Sequence, residues 1–322
     1  MKNINLQQRV ISRPRTAWMM AMNFVILIFF CSLLTTFQAQ AREQAIMISF
    51  DQDKKYSNII TQNIINNLAD SDIRVFTNNK TKDPIEPEYN LLVTVGSQYA
   101  INALNNTENS TPILSLLIPE LTALQLENKH NKVWATQIID QPYKRQLSLI
   151  KHVFGKKAKV GILLGPSSSK IKKKIIQAAS ETNIKVNFKI VDNADQLIPS
   201  LKETIRLNDV LLAIPDPVVY NKNSIRGILL LSYRNKTPVI GFSKSYIKAG
   251  ATTGLYSTPE QIANDATNHI KQFFKNNKNF DKNRYYPKNF SIDINQRVAD
   301  SLRLNIEIKN VNQKLNREAK SE

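Results

Sequence analysis

The chain has 322 residues, 42% of them hydrophobic and 22% charged, with 44 Lys or Arg against 26 Asp or Glu and a formal net charge of +18. This composition excludes a disordered polyelectrolyte and supplies more apolar material than one core needs, so two lobes are expected. One cysteine, three histidines and eight glycines leave no disulfide framework and little material for a metal centre or a Gly-rich phosphate loop.

In chain order, Lys2, Arg9, Arg13 and Arg15 precede an apolar run from Ala17 to Phe37 and then Ala39-Gln40-Ala41. Basic, apolar and small-residue regions in that order read as an export signal, residues 1–41, with cleavage expected after Ala41. The run is long enough for an uncleaved membrane anchor to be the alternative. Cys31 lies within it behind Phe29 and Phe30, which disfavours lipid modification, and cleavage leaves a chain without cysteine. Residues 1–41 carry four cations and no anion, so their removal takes the net charge from +18 to +14.

Ala45–Phe50 is a short apolar strand candidate ending in the polar turn Asp51-Gln52-Asp53. Tyr56, Ile59, Ile60, Ile64 and Leu68 recur at helical spacing. Strands are expected at Ile73–Thr77, Leu91–Gly96, Ile113–Ile118 and Val133–Ile139, and Ser97 stands where it could cap a helix from Gln98 to Asn105. Near-continuous apolar strands separated by helices indicate a parallel sheet covered on both faces. Asp140-Gln141-Pro142 breaks the pattern, and a helix from Tyr143 to Phe154 leads to a second set of strands at Ala158–Gly165, Ile184–Val191, Asp209–Ile214 and Pro238–Ser243. Helices with apolar faces are expected between them, at Leu197, Ile198, Leu201 and Ile205 and at Ile225, Ile228, Leu229 and Leu230.

The cluster Lys156, Lys157, Lys159, Lys170, Lys172, Lys173 and Lys174 reads as a solvated face. Among specific partners it favours weak contact with an anionic membrane surface over nucleic acid, because export removes the chain from nucleic acid. Further on, Thr258, Pro259 and Gln261 have capping-box spacing, so a helix starts there, with Ile262, Ala263, Ala266, Ile270 and Phe273 on its apolar face. The segment Lys275 to Lys288 is polar, Phe290–Asn295 reads as a strand, the run from Gln296 as a closing helix, and residues 309–322 as a flexible tail.

The order of elements, with LLAIPDPVVYN at 211–221, SYRNKTPVIGFS at 232–243, YIKAGA at 246–251 and SIDINQRVADSL at 291–302, resembles the ABC-transporter substrate-binding proteins of the periplasmic-binding-protein type I fold. The resemblance covers nearly all of the chain after the signal. It implies two doubly wound α/β lobes, 42–139 plus 255–290 and 140–254 plus 291–308, joined by a three-crossing hinge with a small-molecule ligand bound between them. The crossings are expected near Ile139–Gln141, Gly254–Tyr256 and Ser291–Ile294. Together with the export signal, the resemblance leads to the expectation of a monomer in the periplasm serving the permease of an uptake system, with a sensory protein of the same fold that reports to a membrane receptor as the alternative.

Ligands of open parallel sheets bind outside the carboxyl ends of the strands, where backbone N–H groups at helix N-termini attract anions. That rule selects Asp51, Gly96, Ser97 and Gln98 in the first lobe, and Ser167, Ser168, Asp216, Tyr220, Ser243 and Tyr246 in the second. The serines also suit helix caps, Asp216 between two prolines suits a turn, Tyr220 and Tyr246 suit packing, and Gly250 suits a tight turn. No nucleophile elbow, phosphate loop or dinucleotide fingerprint occurs, and His130, His152 and His269 are unpaired in sequence. The expectation is a binding protein with no catalytic residues, no metal site and no cofactor.

Overall fold

The computed structural model describes residues 44–78, 89–107, 110–127 and 132–320. The export signal or anchor expected over residues 1–41 lies outside the described residues, among which no helix is long and apolar enough to cross a membrane.

Two six-stranded sheets organise the chain. In the first, β1 (Gln44–Ser49), β2 (Ile73–Asn78), β3 (Leu91–Val95), β4 (Ile113–Ile118), β5 (Trp134–Ile138) and β11 (Arg284–Tyr285) lie in the order β11-β5-β4-β3-β1-β2, every pair parallel. In the second, β6 (Lys159–Leu164), β7 (Lys185–Ile190), β8 (Val210–Leu212), β9 (Val239–Gly241), β10 (Thr253–Tyr256) and β12 (Ser291–Ile294) lie in the order β12-β10-β9-β8-β6-β7. Only β12 runs antiparallel, on β10, in register Gly254↔Asp293. Each sheet therefore starts at a central strand, steps outward once and then reverses. The reversal between β1 and β3, and between β6 and β8, is the switch point beside which such sheets open a crevice at their carboxyl ends.

The apolar runs of the sequence explain the layering. All five residues of β3 and of β5 are buried, as strands covered on both faces require. On one face of the first sheet, Ile46, Ile48, Val93 and Leu114 pack with Ile60 and Ile64 of the helix Lys55–Leu68 and with Ile262, Ala266, Ile270 and Phe273 of the helix Pro259–Lys275. The late helix thus closes the early lobe. Its start is the expected capping box: Thr258 Oγ1 accepts the Gln261 N–H at 3.2 Å and Gln261 Oε1 accepts the Thr258 N–H at 2.9 Å. On the opposite face Leu92, Ile113 and Ile138 meet Ala100 and Leu104 of the helix Ser97–Asn106 and Ala123 of the helix Glu120–Glu127. In the second lobe Val160, Ile162, Leu164 and Val210 pack on Leu147 and Ile150 of the helix Tyr143–Phe154 and on Ile175. The other face carries Leu201, Ile205, Val219 and Ile228.

The chain passes from one sheet to the other three times. Residues 139–142 link β5 to the Tyr143 helix, 257–258 link β10 to the Pro259 helix, and 286–290 link β11 to β12. The second and third passages adjoin the segments expected from the sequence. Gly254–Tyr256 and Ser291–Ile294 are themselves strands, paired with each other in the second sheet. The three passages are bonded side by side. Gln141 Nε2 donates to Ser257 Oγ at 2.9 Å, and Ser257 Oγ donates to the Asn289 carbonyl at 2.7 Å.

Other readings change. Lys244–Ala249 is a helix that the sequence reading did not assign, and Ser243 caps it by accepting the Tyr246 N–H at 3.1 Å. Arg284–Tyr285 forms a strand inside the segment read as merely polar. The expected flexible tail is instead the helix Ile308–Lys320, whose Val311 and Leu315 are 6% and 1% exposed in the second core. Its apolar residues are few but fall at helical spacing, which the Asn, Lys and Glu content hid.

Candidate functional site

The segments that follow β1, β3, β6, β8 and β9, loops together with the first turns of the helices after them, hold all ten residues expected at a site, and each stands beyond the carboxyl end of its strand. In the first lobe Asp51 closes the turn after β1, its Oδ1 accepting the Asp53 N–H at 3.1 Å and its Oδ2 facing Lys54 Nζ at 3.3 Å. Gly96 takes the N-cap position of the next helix at φ 102, a conformation natural to glycine, so Ser97 is the first helical residue and not the cap expected for it. Asp51, Gly96 and Ser97 are half-buried and Gln98 is exposed. The two loops converge over Tyr99, whose hydroxyl is pushed up first by burial and then by the charges of Asp51 and Asp53.

In the second lobe the rim is built around Asp216, which is 3% exposed. Its Oδ2 accepts the Ser168 N–H at 2.9 Å, and its Oδ1 accepts the N–H groups of Val218 at 2.9 Å and Val219 at 3.4 Å. A Cβ on Gly165 would stand 2.1 Å from Asp216 Oδ1, so the strand end can approach the carboxylate only as glycine. Ser168 is fully buried and its Oγ accepts the Gly165 N–H at 2.9 Å. Asp216 therefore braces the loop after β6 to the loop after β8 across the switch point, and three donors compensate its burial. Ser167, half-buried, makes no side-chain cap.

Tyr220 and Tyr246 are buried with Phe242 between the ends of β8 and β9. Tyr220 meets Tyr246 edge-on at 6.1 Å, and Phe242 stacks on Tyr246 at 4.9 Å. Burial raises both tyrosine hydroxyls, and neither has a hydrogen-bond partner in the protein. These two rings, and the side chains of Ser168 and Asp216, form the floor of the rim. Of the other expected residues in this lobe, Ser167 and Ser243 are half-buried, and near them stand residues that the sequence reading did not single out.

Those neighbours are Tyr56, Lys244, Tyr256 and Asp293. Tyr56, at the start of the first-lobe helix, is 48% exposed although its spacing placed it on the apolar stripe. It lies near enough to Tyr256 of β10 to contribute to raising that hydroxyl, behind burial and Asp293, whose Oδ2 accepts the Tyr256 hydroxyl at 3.0 Å. Lys244 Nζ stands 5.9 Å from the Tyr256 ring centroid, and the Glu260 carboxyl is held below its usual range first by its own N–H, then by the Thr258 side chain, with the Lys244 charge a smaller aid. Glu260 opens the helix of the first lobe. The carboxyl end of the first sheet thus comes within electrostatic range of the second lobe at Tyr256 and Lys244. No sequence motif marks this meeting, because its members lie on four separate elements.

Deeper between the lobes, Glu120 is 1% exposed and accepts the hydroxyls of Tyr143 at 2.8 Å and Tyr286 at 2.7 Å, and it pairs with Lys174 of the second lobe. The Glu120 N–H donates to Asp140 Oδ2 at 2.7 Å, and burial, opposed by that bond and aided by the Glu120 charge, pushes the Asp140 carboxyl up to about 6. One carboxylate therefore ties together the first lobe, the third passage and two helices of the second lobe. Among the described residues no group of three or more His, Cys, Asp or Glu could hold a metal ion.

The same architecture occurs in solved structures. The ABC domain in complex with L-Trp from Streptococcus pneumonia is 15% identical, with a TM-score of 0.56, over 84% of this chain and 98% of that one. A ligand-free, open substrate binding protein with adhesive properties from Clostridium difficile is 15% identical, with a TM-score of 0.62, over 82% and 96%. A conserved domain protein from Vibrio cholerae is 16% identical, with a TM-score of 0.55, over 84% and 98%. At such identity the likeness concerns the fold. No curated protein sequence matches the chain. The family model described as ABC transporter substrate binding protein matches residues 50–318, a span holding all the passages between the sheets and every rim residue named above, and this chain belongs to that family.

Proposed function

We propose that the chain captures a polar or amphipathic solute of about amino-acid size between the carboxyl ends of its two sheets, and that closure about the three passages presents it to the permease of an uptake system. The observation that carries this reading is the meeting of the lobes at Tyr56, Tyr256, Lys244 and Glu260, on the side where both switch points open. The chemistry there suits a zwitterion. Asp51 and Asp293 can receive an ammonium, Lys244 and the amide groups after Gly96 can receive a carboxylate, and the tyrosine rings can cover an apolar side chain. The L-Trp complex of a structural neighbour is in keeping with that class.

Micromolar affinity corresponds to about −8 kcal/mol, whereas one charge-assisted hydrogen bond contributes about 1.5–3 kcal/mol. An amino-acid-sized ligand reaches such affinity only by engaging both lobes, which is why binding and closure belong together. The protein acts in this reading as an exported, monomeric periplasmic component. A calorimetric screen of the free amino acids tests it, together with mass spectrometry of molecules that co-purify. The expected result is one ligand at micromolar or tighter affinity, weakened roughly tenfold or more by Tyr256→Ala or Lys244→Gln. A ligand whose affinity neither change alters would move the site elsewhere, and the absence of any ligand would sink the reading.

A further inference from the structure

A second concavity, of about 580 Å³, lies along the third passage and shares no residue with the rim described above. Arg145, His269, Lys282, Arg284, Lys288 and Asn316 are among its lining residues, and no carboxylate is. Four carboxylates stand behind or beside the lining, and each has partners in the protein: Glu318, beside Arg145 in an adjoining small cavity, meets His152 Nε2 at 2.8 Å. Glu127 pairs with Arg284 Nε at 2.8 Å, Asp281 accepts the Tyr285 hydroxyl, and Asp265 accepts the N–H groups of Lys288 at 2.8 Å and Asn289 at 3.2 Å. Arg145 is fixed in place, its Nη1 donating to Gln141 Oε1 and to the Pro287 carbonyl, both at 2.8 Å, with its guanidinium 4.4 Å from the centroid of the Phe290 ring.

His269 is the second, independent sign. It is 4% exposed and stacked on Tyr285 at 3.9 Å, and neither ring nitrogen has a hydrogen-bond partner in the protein. A buried polar group without a partner is costly, and its place on the wall of a cationic groove makes a bound acceptor the natural remedy.

We propose that this groove binds a dianionic phosphate group, as inorganic phosphate or as the phosphate of a small monoester. A planar carboxylate is satisfied by one bidentate arginine, whereas four cations around one space, Arg145 from one helix and Lys282, Arg284 and Lys288 from residues 282–288, suit an anion with several equivalent oxygens. The lining comes from the first lobe at His269 and Arg284, the third passage at Lys288, and the second lobe at Arg145 and Asn316. A phosphate held there bridges both lobes at their connection, so its occupancy is coupled to how far they open.

Calorimetric titration of the purified full-length chain with inorganic phosphate and with glycerol phosphate tests the site. Saturable one-to-one binding is expected, tighter for the monoester because the groove is larger than one phosphate. The Lys282→Gln/Lys288→Gln double variant changes only exposed side chains and is expected to weaken binding by roughly tenfold or more. Lys156→Gln/Lys157→Gln, in another basic patch, is expected to leave affinity within about twofold, as diffuse surface charge contributes little. Absence of saturable binding of either anion, or equal weakening in both double variants, overturns the proposal.

Discussion

Asp216 shows how a residue type misleads when its partners are unknown. Between two prolines at a strand end it looks available to a ligand, yet three backbone N–H groups claim its carboxylate. Asp216→Ala is accordingly expected to lower stability by about 1–3 kcal/mol in urea denaturation, because it strands the Ser168 and Val218 amides. A variant with unchanged stability and lost ligand affinity would return Asp216 to the contact surface. Asp140 and His269 make opposed contributions to pH dependence. Asp140, pushed up to about 6, keeps its proton in the folded state after the unfolded chain has released it, so its term lowers stability as pH rises from about 4 to about 6. His269 is pushed down to about 4, first by burial and then by Lys288, so its term raises stability from about pH 4 to about 6.5 and is lost on acidification. Relative to the parent, Asp140→Asn should show a melting temperature that climbs more steeply with pH across that window, and His269→Gln one that climbs less. Parallel curves for all three proteins would remove both assignments.

At the scale of elements, the C-terminal helix Ile308–Lys320 is the clearest departure from composition. Its Leu315 is 1% exposed among the residues that pack on the Tyr143–Phe154 helix, and Glu318 meets His152 Nε2 at 2.8 Å. Leu315→Ala should cost about 2–5 kcal/mol, read as a shifted denaturation midpoint, whereas a frayed tail would tolerate the change without effect. The strands and the Pro259 helix were legible because their signals are local: unbroken apolar runs, and a capping box whose two bonds lie within four residues. The two-residue strand β11 was not legible, since its pairing with Thr136 and Gln137 is decided by distant chain.

For the whole molecule, the three passages between sheets are braced by groups far apart in sequence. Glu120 collects Tyr143, Tyr286 and Lys174, and Arg145 clamps Gln141 to Pro287. Lys174 is 40% exposed at its side chain but Glu120 is 1% exposed, so the pair spans the lobes and its loss leaves a buried carboxylate held only by neutral donors. Lys174→Met should lower stability by about 1–3 kcal/mol in denaturation and enlarge the ligand-free radius of gyration of the folded chain in small-angle scattering. An unchanged scattering profile would mean that the pair does not restrain opening.

The sequence by itself determined the fold class and the segments at the carboxyl ends of the strands, because apolar runs, Gly and Pro punctuation and strand-end loops are properties of neighbouring residues. All ten residues expected at a site stand beyond the carboxyl ends of their strands. Only the tertiary structure decided what those residues do. Whether a carboxylate faces solvent or three amides, whether Tyr56 joins the core stripe or meets Tyr256, and whether a Lys-rich tail finds a hydrophobic seat depend on groups brought together from distant positions. The basic groove at the third passage is of the same kind: Arg145, His269 and Lys288 have no relation in sequence, and become one surface only when the chain has crossed between its sheets for the third time.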